Sequence, residues 1–251
     1  PKTRICSYYN SIVNVFLHLT NCINFRIWII YFLNRDKFIK YSISGNLGKI
    51  IAVSLAPMLA LGAVHFIGGL PLPAFSVTLL PLQLLWLNLL TDGLLGVGLG
   101  VEPGESGVMK RPPVPPTAGI FSGGVMGQIL RVGTLIGVVS LTIGLGAWAL
   151  GKENWQTLLF TSLAFAQIWQ AVGTRSFTDS IFKTGLKSNP TMAGIMLLTV
   201  VLQLATVYLP FMRQFLGTLP VAPFDLLICI LSTSVVLIYT EVEKLLLKKS
   251  E

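Results

Sequence analysis

Three groups of polar residues lie inside long apolar stretches of this 251-residue chain. Asn88, Thr91 and Asp92 stand at i, i+3 and i+4, so a helix puts all three on one face. Asn46 and Lys49, three residues apart, share a face of an earlier stretch. Gln167 and Gln170 lie inside a later one. An ionisable residue near the centre of a membrane helix costs roughly 2.5–3.5 kcal/mol on insertion scales, so it usually marks an ion path or a pair. Asp92 is the one carboxylate placed deep in these stretches. Gly93, Gly96, Gly98 and Gly100 follow it, a spacing that can bend or unwind a helix and free carbonyls for a ligand where backbone lines a cavity.

Each feature also has a plain structural reading. Asn46 and Gln167 suit interhelical hydrogen bonds, worth about 0.6–2 kcal/mol in a bilayer. Lys49, near a helix end, can snorkel to the interface. Asp92 and Lys49 can form a buried pair with no transport role. The glycines, above all those of the stretch around residue 137, can serve close packing.

Composition decides what kind of element must hold these residues. The chain is 53% hydrophobic and 11% charged, with a mean hydropathy of +0.75, against roughly 25% charged residues in a soluble domain. A water-soluble globule, a disordered chain and a disulfide-stapled secreted domain are excluded. Cys6, Cys22 and Cys229 have no metal or redox spacing, and His18 and His65 have no partner pattern. Nothing supports a structural metal or Cys/His catalysis. The net charge of +8 is read as the Lys/Arg bias that orients membrane helices, not as a nucleic-acid surface.

A spanning helix needs about 20 mainly apolar residues. Six segments qualify, near 41–64, 77–98, 124–150, 157–172, 191–211 and 224–246, and all are expected to be helices because irregular backbone cannot face lipid. The expected fold is all-α, a polytopic bundle of six transmembrane helices embedded in a lipid bilayer. Alternate loops carry Arg35, Lys37, Lys40, Lys110, Arg111, Arg131, Arg175, Lys183, Lys187, Lys244, Lys248 and Lys249, whereas the opposite loops hold Lys152 and Arg213. Twelve basic residues against two put both ends of the six-helix unit in the cytoplasm.

Residues 1–35 differ in kind. They contain no Gly, Ala, Asp or Glu, while all 24 glycines lie from Gly45 onward. Asn14, His18, Asn21, Asn24 and Arg26 interrupt their apolar run, which reads either as a poor seventh membrane helix or as a segment with no stable role. The chain starts at Pro1 and its first methionine is Met58, so either it is a fragment or its start is unusual, and 1–35 is set apart from 36–251.

The run Leu84-Leu85-Trp86-Leu87-Asn88-Leu89-Leu90-Thr91-Asp92-Gly93 closely resembles the sixth membrane helix of P-type ATPases of the calcium-pump branch. Met109-Lys110-Arg111-Pro112-Pro113 looks like that family's cytoplasmic loop, and Tyr41-Ser42-Ile43-Ser44-Gly45-Asn46-Leu47-Gly48-Lys49 is similar to its fifth helix. The resemblance covers about 36–251, the family's fifth to tenth helices, and implies that 1–35 is out-of-frame or spliced sequence in place of the family's upstream region. The last four match mainly in hydropathy and at Ala166-Gln167.

The resemblance implies cation ligands at Asn46, Asn88, Thr91, Asp92 and Gln167, with Ca2+ as the transported ion. It also implies a coupling loop at Lys110, Arg111, Pro112 and Pro113 that meets the phosphorylation domain. Lys49 and Gln167 stand where sarcoplasmic-type pumps have glutamates, so this chain looks more like pumps that lack one of two calcium sites, with Lys49 as a site-modifying cation. Calcium takes six to eight oxygens, and a cluster whose one negative charge is cancelled by Lys49 holds a dication poorly. Calcium binding no tighter than millimolar is therefore expected. Asp-Lys-Thr-Gly-Thr, Thr-Gly-Glu-Ser and Pro-Glu-Gly-Leu motifs do not occur in the sequence. Mg2+ and ATP thus belong only to a complete pump, and the chain is expected not to hydrolyse ATP alone. Two other readings stay open: a non-catalytic membrane partner of a full-length pump, and a proton-linked channel or transporter using Asp92 and Lys49.

Overall fold

The computed structural model describes residues 2–67, 78–104, 121, 124–177, 179–185 and 188–249. The loop residues Lys110, Arg111, Pro112 and Pro113 lie outside the described residues. Every regular element among those described is a helix.

The chain opens with α1 (Lys2–Ile67), a single helix of 66 residues. Residues 2–35 therefore lengthen the first spanning helix and do not form a separate seventh one. The apolar part of α1, Ile29–Phe66, has 38 residues, about 57 Å at 1.5 Å per residue. Hydrocarbon is ~30 Å thick, so part of this stretch reaches beyond it. Arg35, Asp36, Lys37 and Lys40 mark the polar portion.

Pro57 lies within α1 and has no N–H to give the Val53 carbonyl four residues earlier. The Thr78 hydroxyl supplies that bond, at 3.2 Å. The next spanning unit has three parts: α2 (Pro81–Leu87), a π-helical segment Asn88–Leu95 and α3 (Gly96–Gly100). It starts at Leu80, whose N–H donates to Gln83 Oε1 at 3.1 Å. Gln83 Nε2 in turn donates to the Leu216 carbonyl at 3.0 Å.

After it come α4 (Val125–Ala149), α5 (Trp155–Thr174), the short α6 (Ile181–Thr184), α7 (Pro190–Tyr208), α8 (Pro210–Leu216), α9 (Pro223–Thr233) and α10 (Val235–Lys249). Among the described residues, five helical stretches are long and apolar enough to cross a membrane: Ile29–Phe66, Pro81–Gly100, Val125–Ala149, Pro190–Tyr208 and Pro223–Leu246. The remaining expected segment is α5, the bundle's axis. Sixteen of its 20 residues are buried, and it packs against α1, α4, α7, α9, α10 and the π-segment. A helix wrapped by protein need not be apolar on every face, which is why α5 can carry Gln167 and Gln170.

Glycine brings α1 and α4 together. A methyl group on Gly133 would lie 2.8 Å from the Ser44 carbonyl oxygen, and one on Gly48 would lie 2.6 Å from Ile136 Cγ2. Gly133, Gly137 and Gly144 of α4 thus have the close-packing role. Close backbone approach through small residues is a main source of helix association in lipid. Around this seam the core gathers Ala52, Ala56, Leu87, Ile136, Leu159, Phe160 and Leu163.

Candidate intramembrane cation site

The candidate site forms where α1, α5 and the π-segment meet. A π-turn holds one more residue than an α-turn and commonly appears at functional positions. Here it spans Asn88–Leu95 and so carries Asn88, Thr91 and Asp92. Beyond Gly93, which the π-segment includes, the glycine-rich run stays α-helical. Gly96 and Gly98 are buried, with Phe38 and Met192 packed where their side chains would be. The widening of the helix falls on Asn88–Leu95, which takes in the polar residues and Gly93 and ends before Gly96.

Lys49 crosses from α1 to this segment. Its Nζ donates to Asn88 Oδ1 at 2.6 Å and to Asp92 Oδ2 at 3.3 Å. Lys49 is 5% exposed and the Asp92 side chain 19%. The other carboxylate oxygen, Asp92 Oδ1, is buried without a hydrogen-bond partner. Asn88 is exposed. Asn46 is half-buried, three residues before Lys49 on the α1 face. Thr91 is fully buried, and its hydroxyl donates to the Leu87 carbonyl at 2.5 Å. Its oxygen keeps acceptor capacity after that donation.

Gln167 comes in from α5. It is fully buried, and neither amide atom has a hydrogen-bond partner. Its Oε1 lies 3.1 Å from where a Gly45 side chain would start, so glycine at 45 is what admits this amide beside α1. Gln170, one turn on, donates from Nε2 to the Tyr41 carbonyl at 3.2 Å and to Ser44 Oγ, while its Oε1 is unpartnered.

The structure thus joins Lys49, Asn88 and Asp92 directly and sets Gln167 against the same stretch of α1. Gln170 and Ser44 extend the polar lining beyond the expected ligand set. The i+3 relation of Gln170 to Gln167 was a visible signal for one of them. Among the described residues, no three His, Cys, Asp or Glu side chains gather to hold a metal. The cluster offers amide, hydroxyl and carboxylate oxygens, which suit a hard cation, yet its one carboxylate is opposed by an ammonium.

Residues 76–246 match the family model described as cation transporting ATPase, C-terminus. A calcium-transporting ATPase of Bacillus subtilis (strain 168) is 33% identical over 200 residues, 78% of this chain and 21% of that protein. One from Listeria monocytogenes is 36% identical over 183 residues, 73% of this chain and 19% of the relative. One from Saccharomyces cerevisiae is 33% identical over 171 residues, 67% and 18% of the two chains. The chain spans about a fifth of the length of these curated relatives.

Proposed function

The chain belongs to the C-terminal membrane-domain family of cation-transporting P-type ATPases, and from that premise we propose that it supplies part of an intramembrane cation site and ion path. It is an integral membrane protein of helical spans. The cargo proposed is Ca2+, the ion named for the relatives. Asn46, Asn88, Thr91, Asp92 and Gln167 offer the oxygens. ATP hydrolysis, with its Mg2+, belongs to domains outside this chain, and Lys110, Arg111, Pro112 and Pro113 form the loop that couples to them. Both ends of the six-helix unit face the cytoplasm.

The observation that carries this reading is the set of orphaned polar atoms at membrane depth. An unpartnered buried polar group costs about 1–3 kcal/mol, and Asp92 Oδ1 and both Gln167 amide atoms are such groups. A cation supplies what Asp92 Oδ1 and Gln167 Oε1 lack. Lys49 sets the electrostatics: with its ammonium on Asp92, the site's net charge is zero and a dication meets no attraction.

Asn88 is exposed, as are its neighbours Leu85 and Leu89 and, on α1, Ile50 and Met58. A polar amide at membrane depth favours protein cover there, from further membrane helices of a complete pump or from a full-length pump acting as partner.

Calcium binding to the full chain in lipid nanodiscs tests the reading. The expected result is millimolar or weaker binding by the wild type and at least tenfold tighter binding by Lys49→Gln. Adding Asp92→Asn to that variant should abolish the gain. If Lys49→Gln binds no better than wild type, the cage is wrongly placed.

A further inference from the structure

Far along the bundle from the cage lies a second polar cluster, and it is fully satisfied. Arg175, just past α5, is 2% exposed and Glu102, just past α3, is 5% exposed. The guanidinium grips the carboxylate bidentately. Nη2 donates to Oε1 at 2.8 Å and Nε donates to Oε1 and Oε2 at 3.1 and 3.2 Å. Asn189 Nδ2 adds a third donor to Oε2 at 2.9 Å.

The remaining bonds reach out to four segments. Arg175 also donates to the Gly185 carbonyl at 3.0 Å and to Ser188 Oγ at 2.7 Å. Asn189 caps α7, its Oδ1 accepting from the Met192 N–H at 3.0 Å. Asn34 of α1, 3% exposed, donates from Nδ2 to the Glu102 carbonyl at 2.7 Å and to the Gly100 carbonyl at 3.2 Å. A buried ion pair is weak support for stability unless its remaining hydrogen bonds are met, and here both members have theirs.

The placement of this knot relative to the cage gives it a further consequence. Asn34 stands 15 residues before Lys49 on one unbroken helix, about 22 Å away. Glu102 stands ten residues after Asp92, beyond the end of the π-segment and α3. The two helices that carry the Lys49–Asp92 pair are therefore tied together by hydrogen bonds beyond it, alongside the packing of Phe38 of α1 on Gly96 of α3. The Asp92 arm is also held at its other end, by Gln83 on the Leu216 carbonyl. Between these two anchors lies the π-segment.

We propose that Glu102, Arg175, Asn189 and Asn34 act as positioning residues that set the separation of Lys49 and Asp92 at the cage. They touch neither the pair nor a cation. With both ends of the Asp92 arm fixed, a change at the site takes place within the π-segment, by local rewinding, and the arm does not tilt as a rod. The functional meaning of that separation rests on the cation-site reading above. The separation itself can be measured without any cation.

Spin labels at Leu89→Cys and Val138→Cys, in a background with Cys6, Cys22 and Cys229 replaced by alanine, read the position of the π-segment against α4, the close neighbour of α1. Both label sites are exposed. Pulsed dipolar spectroscopy of the full chain in nanodiscs should show a mean distance altered by about 2 Å or more, over one residue's rise, in Glu102→Gln. Asn34→Ala, which leaves the ion pair intact, should shift the same distance and decides the matter where Glu102→Gln does not fold. Glu241→Gln breaks a buried pair of similar exposure with Lys244 and should leave the distance unchanged. Superimposable distributions for wild type, Glu102→Gln and Asn34→Ala overturn the proposal, as does an equal shift in Glu241→Gln. A chain that binds no cation but shows the shift refutes the cage and keeps the positioning role.

Discussion

Lys49 Nζ lies 3.3 Å from Asp92 Oδ2 and 2.6 Å from Asn88 Oδ1, so the one acidic group of the cluster already holds a cation belonging to the protein. The ammonium stands beside the oxygens that an imported cation needs. A site arranged in this way is neutral at rest, and its cargo must compete with a tethered charge.

The stability of the pair follows from its burial. Removing one member of a buried ion pair costs about 3–5 kcal/mol, because the other charge is left alone. Asp92→Asn keeps the size of the side chain and strands the Lys49 ammonium. It should lower the melting temperature of the chain in detergent more than the double variant Lys49→Met with Asp92→Asn, which removes both charges. Equal melting temperatures for the single and double variants would show that the pair is not a coupled unit.

Thr78 and Pro57 form a second coupled pair, through the Val53 carbonyl. The Thr78 hydroxyl supplies the bond that a proline at 57 withholds. Thr78→Val should cost about 1 kcal/mol, the net worth of one hydrogen bond. In a Pro57→Ala background the helix makes its own bond to Val53, and the same substitution should then be nearly neutral. Equilibrium unfolding of the four variants checks the coupling; additive effects would refute it.

Composition and spacing carried much of this architecture. The apolar runs near 41–64, 124–150 and 191–211 became α1, α4 and α7, because hydropathy over about 20 residues measures what a bilayer demands. Asn88 and Asp92 share a face in the sequence and meet Lys49 in the structure. The central place of α5 left a trace in its lower hydropathy, which among the described residues keeps it out of the set of helices long and apolar enough to cross a membrane, but a search for apolar runs alone does not say that neighbouring helices, and not lipid, cover Gln167 and Gln170. The 66-residue continuity of α1 was hidden because residues 2–35 have neither the glycine nor the acidic content of the rest. The Glu102–Arg175 knot escaped notice because its members lie 73 residues apart, and no local period connects them. The orphaned amide of Gln167 is a property of three-dimensional packing alone.

The seam between α1 and α4 predicts a steep contrast between glycines. Gly133→Ala places a methyl group 2.8 Å from the Ser44 carbonyl oxygen, and backbone cannot rotate out of the way as a side chain can. The helices must separate, at a cost of about 1–3 kcal/mol typical of overpacking. Gly62, in α1, has nothing within 4 Å of the same position. Gly62→Ala should be neutral or stabilising, by up to ~1 kcal/mol, through the better helix propensity of alanine. Thermal unfolding in one detergent resolves the two signs, and equal destabilisation by both would show that the contact does not hold the seam.

Gln167 separates a structural role from a binding one. Were it interhelical glue, Gln167→Leu would remove a working hydrogen bond and lower the melting temperature. Its amide is buried and unpartnered, so in cation-free buffer Gln167→Leu should leave stability unchanged or raise it by about 1 kcal/mol, the cost of the orphaned group being relieved. The same position should respond to charge in the opposite sense. Gln167→Glu with Lys49→Glu takes the cluster from net zero to minus three, adding two carboxylates to Asp92 among ligands that calcium favours. Calcium should then raise the melting temperature of the double variant in a concentration-dependent way, as binding to the native state alone requires, and leave the wild type unmoved at the same millimolar concentrations. A drop in melting temperature for Gln167→Leu without cation would return Gln167 to an ordinary helix contact, and an unresponsive double variant would remove it from the ion's path.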